Sequence, residues 1–205
     1  MSDPELIRNA LRQHVNALAV DIGPRTPLNG DSLVRAAEYI HSVFEDAGLS
    51  VREQNYQYYD QRVTNVLATH RTATGASTYY VVGAHYDTVP GTPGADDNAS
   101  AVAVMLELAQ RLSHERLKAP VLFAAFTLEE PPAYLTGHQG SRSDHASFWD
   151  ARFPALMVTD TAFFRNPNYH LPSDTIDTLD FTFMAELVKS LELALSELPP
   201  HTTSS

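Results

Sequence analysis

Four short segments of this chain carry residues whose types and spacing suit metal and proton chemistry. In Gly83-Ala-His85-Tyr-Asp87 an imidazole lies two residues from a carboxylate, an arrangement that lets an acid orient a metal-ligating His. In Gly94-Ala-Asp96-Asp97-Asn98-Ala-Ser100 several side-chain oxygens gather after a Gly/Pro loop. In Phe126-Thr-Leu-Glu129-Glu130 two acids end an apolar run; one carboxylate can hold a metal while the other moves a proton. In Tyr169-His170-Leu-Pro-Ser-Asp174-Thr a His enters a proline loop. Each segment has an ordinary alternative: a surface His–Asp pair, an N-cap by Asp97 or Asn98, a solvated strand end, a surface His. His14, His41, His70, His114 and His201 have no such surroundings.

The elements that must position these residues follow from periodicity. Helical spacing predicts helices over 4–20 (Ile7, Leu11, Val15, Leu18), from Asp31 to about Gly48 (Leu33, Ala37, Ile40, Phe44), over 99–113 and over 180–198. Strands are expected at 51–59 and 63–69, and buried strands at 79–84, 120–128 and 153–159. Strands alternating with helices imply an α/β sheet covered on both faces, and the chemical residues fall at strand ends, where open α/β sheets place their sites. Residues 1–198 read as a single domain and 199–205 as a flexible tail. The stretch from Glu130 to Asp144 has prolines and glycines but no apolar period.

Composition sets the outer bounds. The 205 residues carry 25 Asp+Glu against 14 Lys+Arg, a formal net charge of -11, which argues against nucleic-acid and anionic-membrane partners. The absence of Cys excludes disulfide scaffolds, thiolate metal sites and Cys nucleophiles. No stretch reaches the roughly 18 apolar residues of a membrane span, and no basic-then-apolar leader opens the chain, so the cytoplasm is the mild expectation for an otherwise open compartment. No Gly-x-Ser-x-Gly elbow supports a serine hydrolase.

The joint order of the four segments, with Ser143-Asp144-His145-Ala-Ser-Phe148-Trp149 between the third and fourth, resembles the M28 family of zinc metallopeptidases, the aminopeptidase and glutaminyl-cyclase-like superfamily. The resemblance implies a three-layer αβα sandwich with a mixed, mostly parallel sheet. It implies that zinc is held by His85, Asp96, Glu130 and His170, with Asp96 bridging two ions. Glu129 would be the general acid/base and Asp87 would support His85. It further implies a cis bond between Asp96 and Asp97.

One departure stands out against that resemblance. Relatives carry another strand, a helix and a further acidic ligand between the Glu-Glu pair and the Ser-Asp-His segment, and here Glu130 runs almost directly into Ser143. The expected fold is therefore shortened by about one strand-helix segment, with the Glu130 zinc site complete and the His85 site short of a ligand. Asp144, His145, His138 and Asp160 are the candidate substitutes or neighbours. The implied function is zinc-dependent hydrolysis of peptide bonds by an exopeptidase of aminopeptidase type. The alternatives are an inactive scaffold and a one-zinc acyltransferase of glutaminyl-cyclase type. The lost strand would leave a sheet edge able to pair two copies of the chain.

Overall fold

The computed structural model describes residues 3–130, 144–159 and 164–199; the expectations for His138, Ser143, Asp160 and the 200–205 tail fall outside them. Helix α1 (Pro4–Val15) starts where the Asp3 carboxylate accepts the Glu5 N–H, with Pro4 at its first position. The expected single helix over 4–20 is broken: from Asn16 to Ile22 the chain widens into a π-helical stretch. Helix α2 (Ser32–Asp46) turns Ala36, Ile40 and Phe44 inward. Strands β1 (Ser50–Tyr58) and β2 (Gln61–Thr69) form a hairpin about Tyr59 and Asp60.

Strand β3 (Tyr80–His85) leads through the 86–94 loop and a kinked stretch, Ala95–Ser100, whose backbone is non-helical at Asp97 and Asn98, into helix α3 (Ala101–Leu112). Strand β4 (Val121–Phe126), the short helix α4 (His145–Asp150) and helix α5 (Phe181–Glu197) complete the described elements. The strand order is β1-β2-β4-β3. The sheet is mixed as expected, but only β3 and β4 run parallel, whereas β1–β2 and β2–β4 are antiparallel. The two-residue connection at 59–60 compels antiparallel pairing, since a parallel pair needs a long crossover.

One core joins α1, α2, α3 and α5 to one face of the sheet through Leu11, Phe44, Leu108, Phe123 and Val188. Burying each such side chain contributes about 1.5–3 kcal/mol. The other face is less covered. Val81 is 40% exposed, so β3 is not the fully buried strand expected from its composition. Here Phe126 lies across Gly83, whose lack of a Cβ makes room for the ring, and meets Phe148 of α4 at 6.3 Å. The strand expected at 153–159 is absent: the segment is irregular, and Phe153, Leu156 and Val158 are exposed. A run of apolar residues becomes a strand only beside a partner, and none of the described strands reaches it.

Candidate metal centre

His85 closes β3, and its buried ring faces the carboxylate of Asp97, with Nε2 3.3 Å from Oδ1. The other oxygen of Asp97 lies 3.0 Å from His170 Nε2, and the same His170 nitrogen is 3.1 Å from Glu130 Oε1. Asp97 thus stands between two imidazoles with one oxygen toward each. His85, Asp97 and Glu130 offer ligand atoms that all lie within 4.8 Å of one another. His85 Nδ1 is buried and makes no hydrogen bond, its distance of 3.6 Å to Asp87 being too long for one. Converging imidazoles and carboxylates, with the buried Asp97 Oδ2 between them making no hydrogen bond, fit a divalent cation that takes nitrogen and oxygen ligands.

The electrostatics are those of imidazoles and carboxylates packed closely together. Burial opposes charge on both His, yet Asp87 and Asp97 hold His85 well above its ordinary value, and Asp97 and Glu130 hold His170 at about 9. Burial likewise pushes Asp97 up, but His170 and His85 outweigh it and keep the carboxylate far below its usual range. Glu129 moves the other way, to about 8. Burial is the main cause and the Glu130, Asp144 and Asp87 carboxylates add to it, against the opposing charge of His85.

The sequence expects Asp96 to be the shared carboxylate, whereas in the structure the acid between the two imidazoles is Asp97. The Oδ2 of Asp96 accepts a hydrogen bond from Asn166 Nδ2 at 2.5 Å. The neighbouring Asp97 takes the central place, and the cis peptide bond is Asp97–Asn98 rather than Asp96–Asp97. An Asp-Asp-Asn run gives no phase by which sequence alone could choose between neighbours. Asp87 has a further task beyond facing His85. Fully buried, its two oxygens accept the N–H groups of Glu129 (3.3 Å) and Glu130 (3.0 Å), which fixes the acidic pair.

Asp144, at the start of α4, lies close enough for its charge to act on His85 and Glu129, and burial raises its own pKa. His145 turns against Trp149, ring to ring at 4.3 Å. Three further residues carry the site without having been singled out in the sequence. Arg25 lies in a Pro-flanked break, Asn166 tethers Asp96, and Asp174 was visible only as part of the His170 segment.

The model of peptidase family M28 matches residues 65–142 and 131–193. The chain belongs to peptidase family M28. The two matched parts of this M28 chain meet at 131–142, where the sequence shows its shortfall. It is 28% identical to the uncharacterized protein YfbL of Escherichia coli over 274 positions, covering 87% of this chain and 84% of that one. Because the alignment is longer than the 205-residue chain, YfbL carries a block with no counterpart here. Shorter matches to fungal proteins each named "Probable zinc metalloprotease" reach 20% or less of those proteins. The M28 chain shares its fold with a zinc aminopeptidase from Bacillus subtilis (TM-score 0.77, 14% identity, 93% of this chain and 95% of that one). It shares it equally with the glutaminyl cyclase of Fimbriiglobus ruber (TM-score 0.75, 18% identity, 92% and 94%). Among the described residues no helix is long and apolar enough to cross a membrane.

Proposed function

We propose that this chain is a zinc-dependent exopeptidase of aminopeptidase type. The observation that carries the reading is Asp97 placed between His85 and His170, with Glu130 on one side and Glu129 adjacent in sequence to it. Asp97, Glu130 and His170 would hold one ion. His85 and Asp97 would hold a second, more weakly, with Asp144 as the nearest candidate to replace the ligand that the shortened segment lacks. When bound, zinc supplies Lewis acidity toward a carbonyl oxygen and a water of near-neutral pKa.

The remaining steps belong to the chain's own residues. Glu129, held by its main chain to Asp87, takes a proton from the attacking water and returns it to the leaving amine. Its raised pKa suits a group that must both accept and release a proton near neutrality.

Hydrolysis of aminoacyl-p-nitroanilides tests this. The wild-type chain loaded with zinc or cobalt should turn over, and chelator should abolish activity. Glu129→Ala should lower kcat by about 10²–10⁴-fold at unchanged metal content. No turnover with any aminoacyl substrate would contradict the reading and leave an inactive scaffold. Cyclisation of an N-terminal glutaminyl peptide in place of hydrolysis would assign the acyl transfer instead.

A further inference from the structure

A layer of buried charge lies beneath the imidazole and carboxylate cluster. The Arg25 side chain is completely buried. Its Nε donates to the Tyr86 carbonyl at 2.6 Å, its Nη1 to those of Leu18, Gly23 and Pro93 at 2.8–3.0 Å, and its Nη2 to that of Gly94 at 2.8 Å. Its main chain exchanges two further bonds with Thr88, as the Arg25 N–H reaches Thr88 Oγ1 at 3.0 Å and the Thr88 N–H reaches the Arg25 carbonyl at 2.9 Å. One guanidinium therefore ties the end of the His85 strand to the turn that introduces Asp96 and Asp97.

Asp174 supplies the second tie. Its Oδ1 accepts the Asp96 N–H at 2.8 Å and its Oδ2 accepts the Asp97 N–H at 3.2 Å, while its carbonyl accepts the Ala95 N–H at 3.3 Å. Because Asp174 follows His170 by four residues, the same contacts join the His170 loop to the Asp97 loop. The pattern repeats what Asp87 does for Glu129 and Glu130: a buried carboxylate grips two consecutive amides of an acidic pair.

We propose that Arg25 and Asp174 are positioning residues of the metal centre, setting the separation of the His85, Asp97 and His170 side chains. The inference rests on the metal-centre reading above. Ligand atoms must be held to within about 0.5 Å for tight coordination, and the three ligands come from three separate segments that share no regular hydrogen-bond ladder. A planar fork reaching several carbonyls has no equivalent in the point charge of lysine. An amide in place of the Asp174 carboxylate would turn a donor against one of the two N–H groups.

The test measures zinc affinity by competition with a chromophoric chelator in the full chain, alongside the visible spectrum of the cobalt-loaded form. Wild type, Asp174→Asn and Arg25→Lys are compared, with the melting temperature of each metal-free form recorded. Both variants should bind zinc about 10–100-fold more weakly and show altered cobalt bands, with Asp174→Asn still melting cooperatively. A variant that melts lower yet keeps wild-type affinity and spectrum would overturn the proposal and leave a purely structural role. If Arg25→Lys does not fold, Thr88→Val, which removes the hydroxyl accepting the Arg25 N–H, carries the same expectation. Absence of tight zinc binding by wild type would overturn the metal-centre reading together with this one. Tight wild-type binding with unaltered variants would overturn this one alone.

Discussion

Asp97 turns one oxygen toward each imidazole while its main-chain N–H is held from behind by Asp174. The same dependence on surroundings governs His14. Its buried ring bonds the Tyr39 hydroxyl at 2.7 Å, and burial lowers its pKa to about 4 against the weaker, opposing effect of Gln110. Between pH 6.5 and 4 the unfolded chain therefore binds a proton at His14 that the folded chain does not, so this group makes stability fall as pH falls. In urea titrations with chelator present, His14→Gln should flatten that loss by up to about 1.4 kcal/mol per pH unit. Parallel pH profiles for variant and wild type would contradict it. At this scale the sequence was informative about residue type and less so about position. His85, Glu130 and His170 do converge, since each ends an element or enters a loop that the pattern made visible. The choice of Asp97 over Asp96 depends on backbone direction in an irregular stretch, and that of Arg25 on contacts with carbonyls far away in the chain, neither of which has a local signature.

At the scale of elements, the turn before Asp96 shows how little freedom the centre leaves. Gly94 has φ +60, and a Cβ there would strike the Thr88 side chain, the Asp97 carbonyl and the Arg25 guanidinium. Gly91 also has positive φ (+85), but open space surrounds it. Both Gly→Ala changes incur backbone strain of about 1–3 kcal/mol, and Gly94→Ala adds a crowding cost of similar size. Urea unfolding should therefore show Gly94→Ala to be clearly the more destabilised, and equal losses would mean that the loop yields. The helices and hairpin strands were readable because their apolar periods are long. The strand expected at 153–159 does not form, for a reason that periodicity cannot supply: strand formation needs a neighbour in the sheet, and the described sheet ends at β3.

Across the molecule, the described residues cover one face of the sheet more fully than the other. Helices α1, α2, α3 and α5 cover one face, and Val81, Leu156 and Val158 remain open. Arg25, Asp87 and Asp174 bond the backbone of the loops that bring Asp97, Glu130 and His170 together. In the proposed metal centre these three residues present Asp97 as the shared carboxylate. Zinc bound per chain, measured by elemental analysis after loading and gel filtration, tests it most directly across wild type, Asp97→Asn and Asp96→Asn. The expected result is at least one zinc per chain in wild type and in Asp96→Asn, with the metal lost from Asp97→Asn. Retention by Asp97→Asn with loss from Asp96→Asn, or no bound zinc in wild type, would contradict the account.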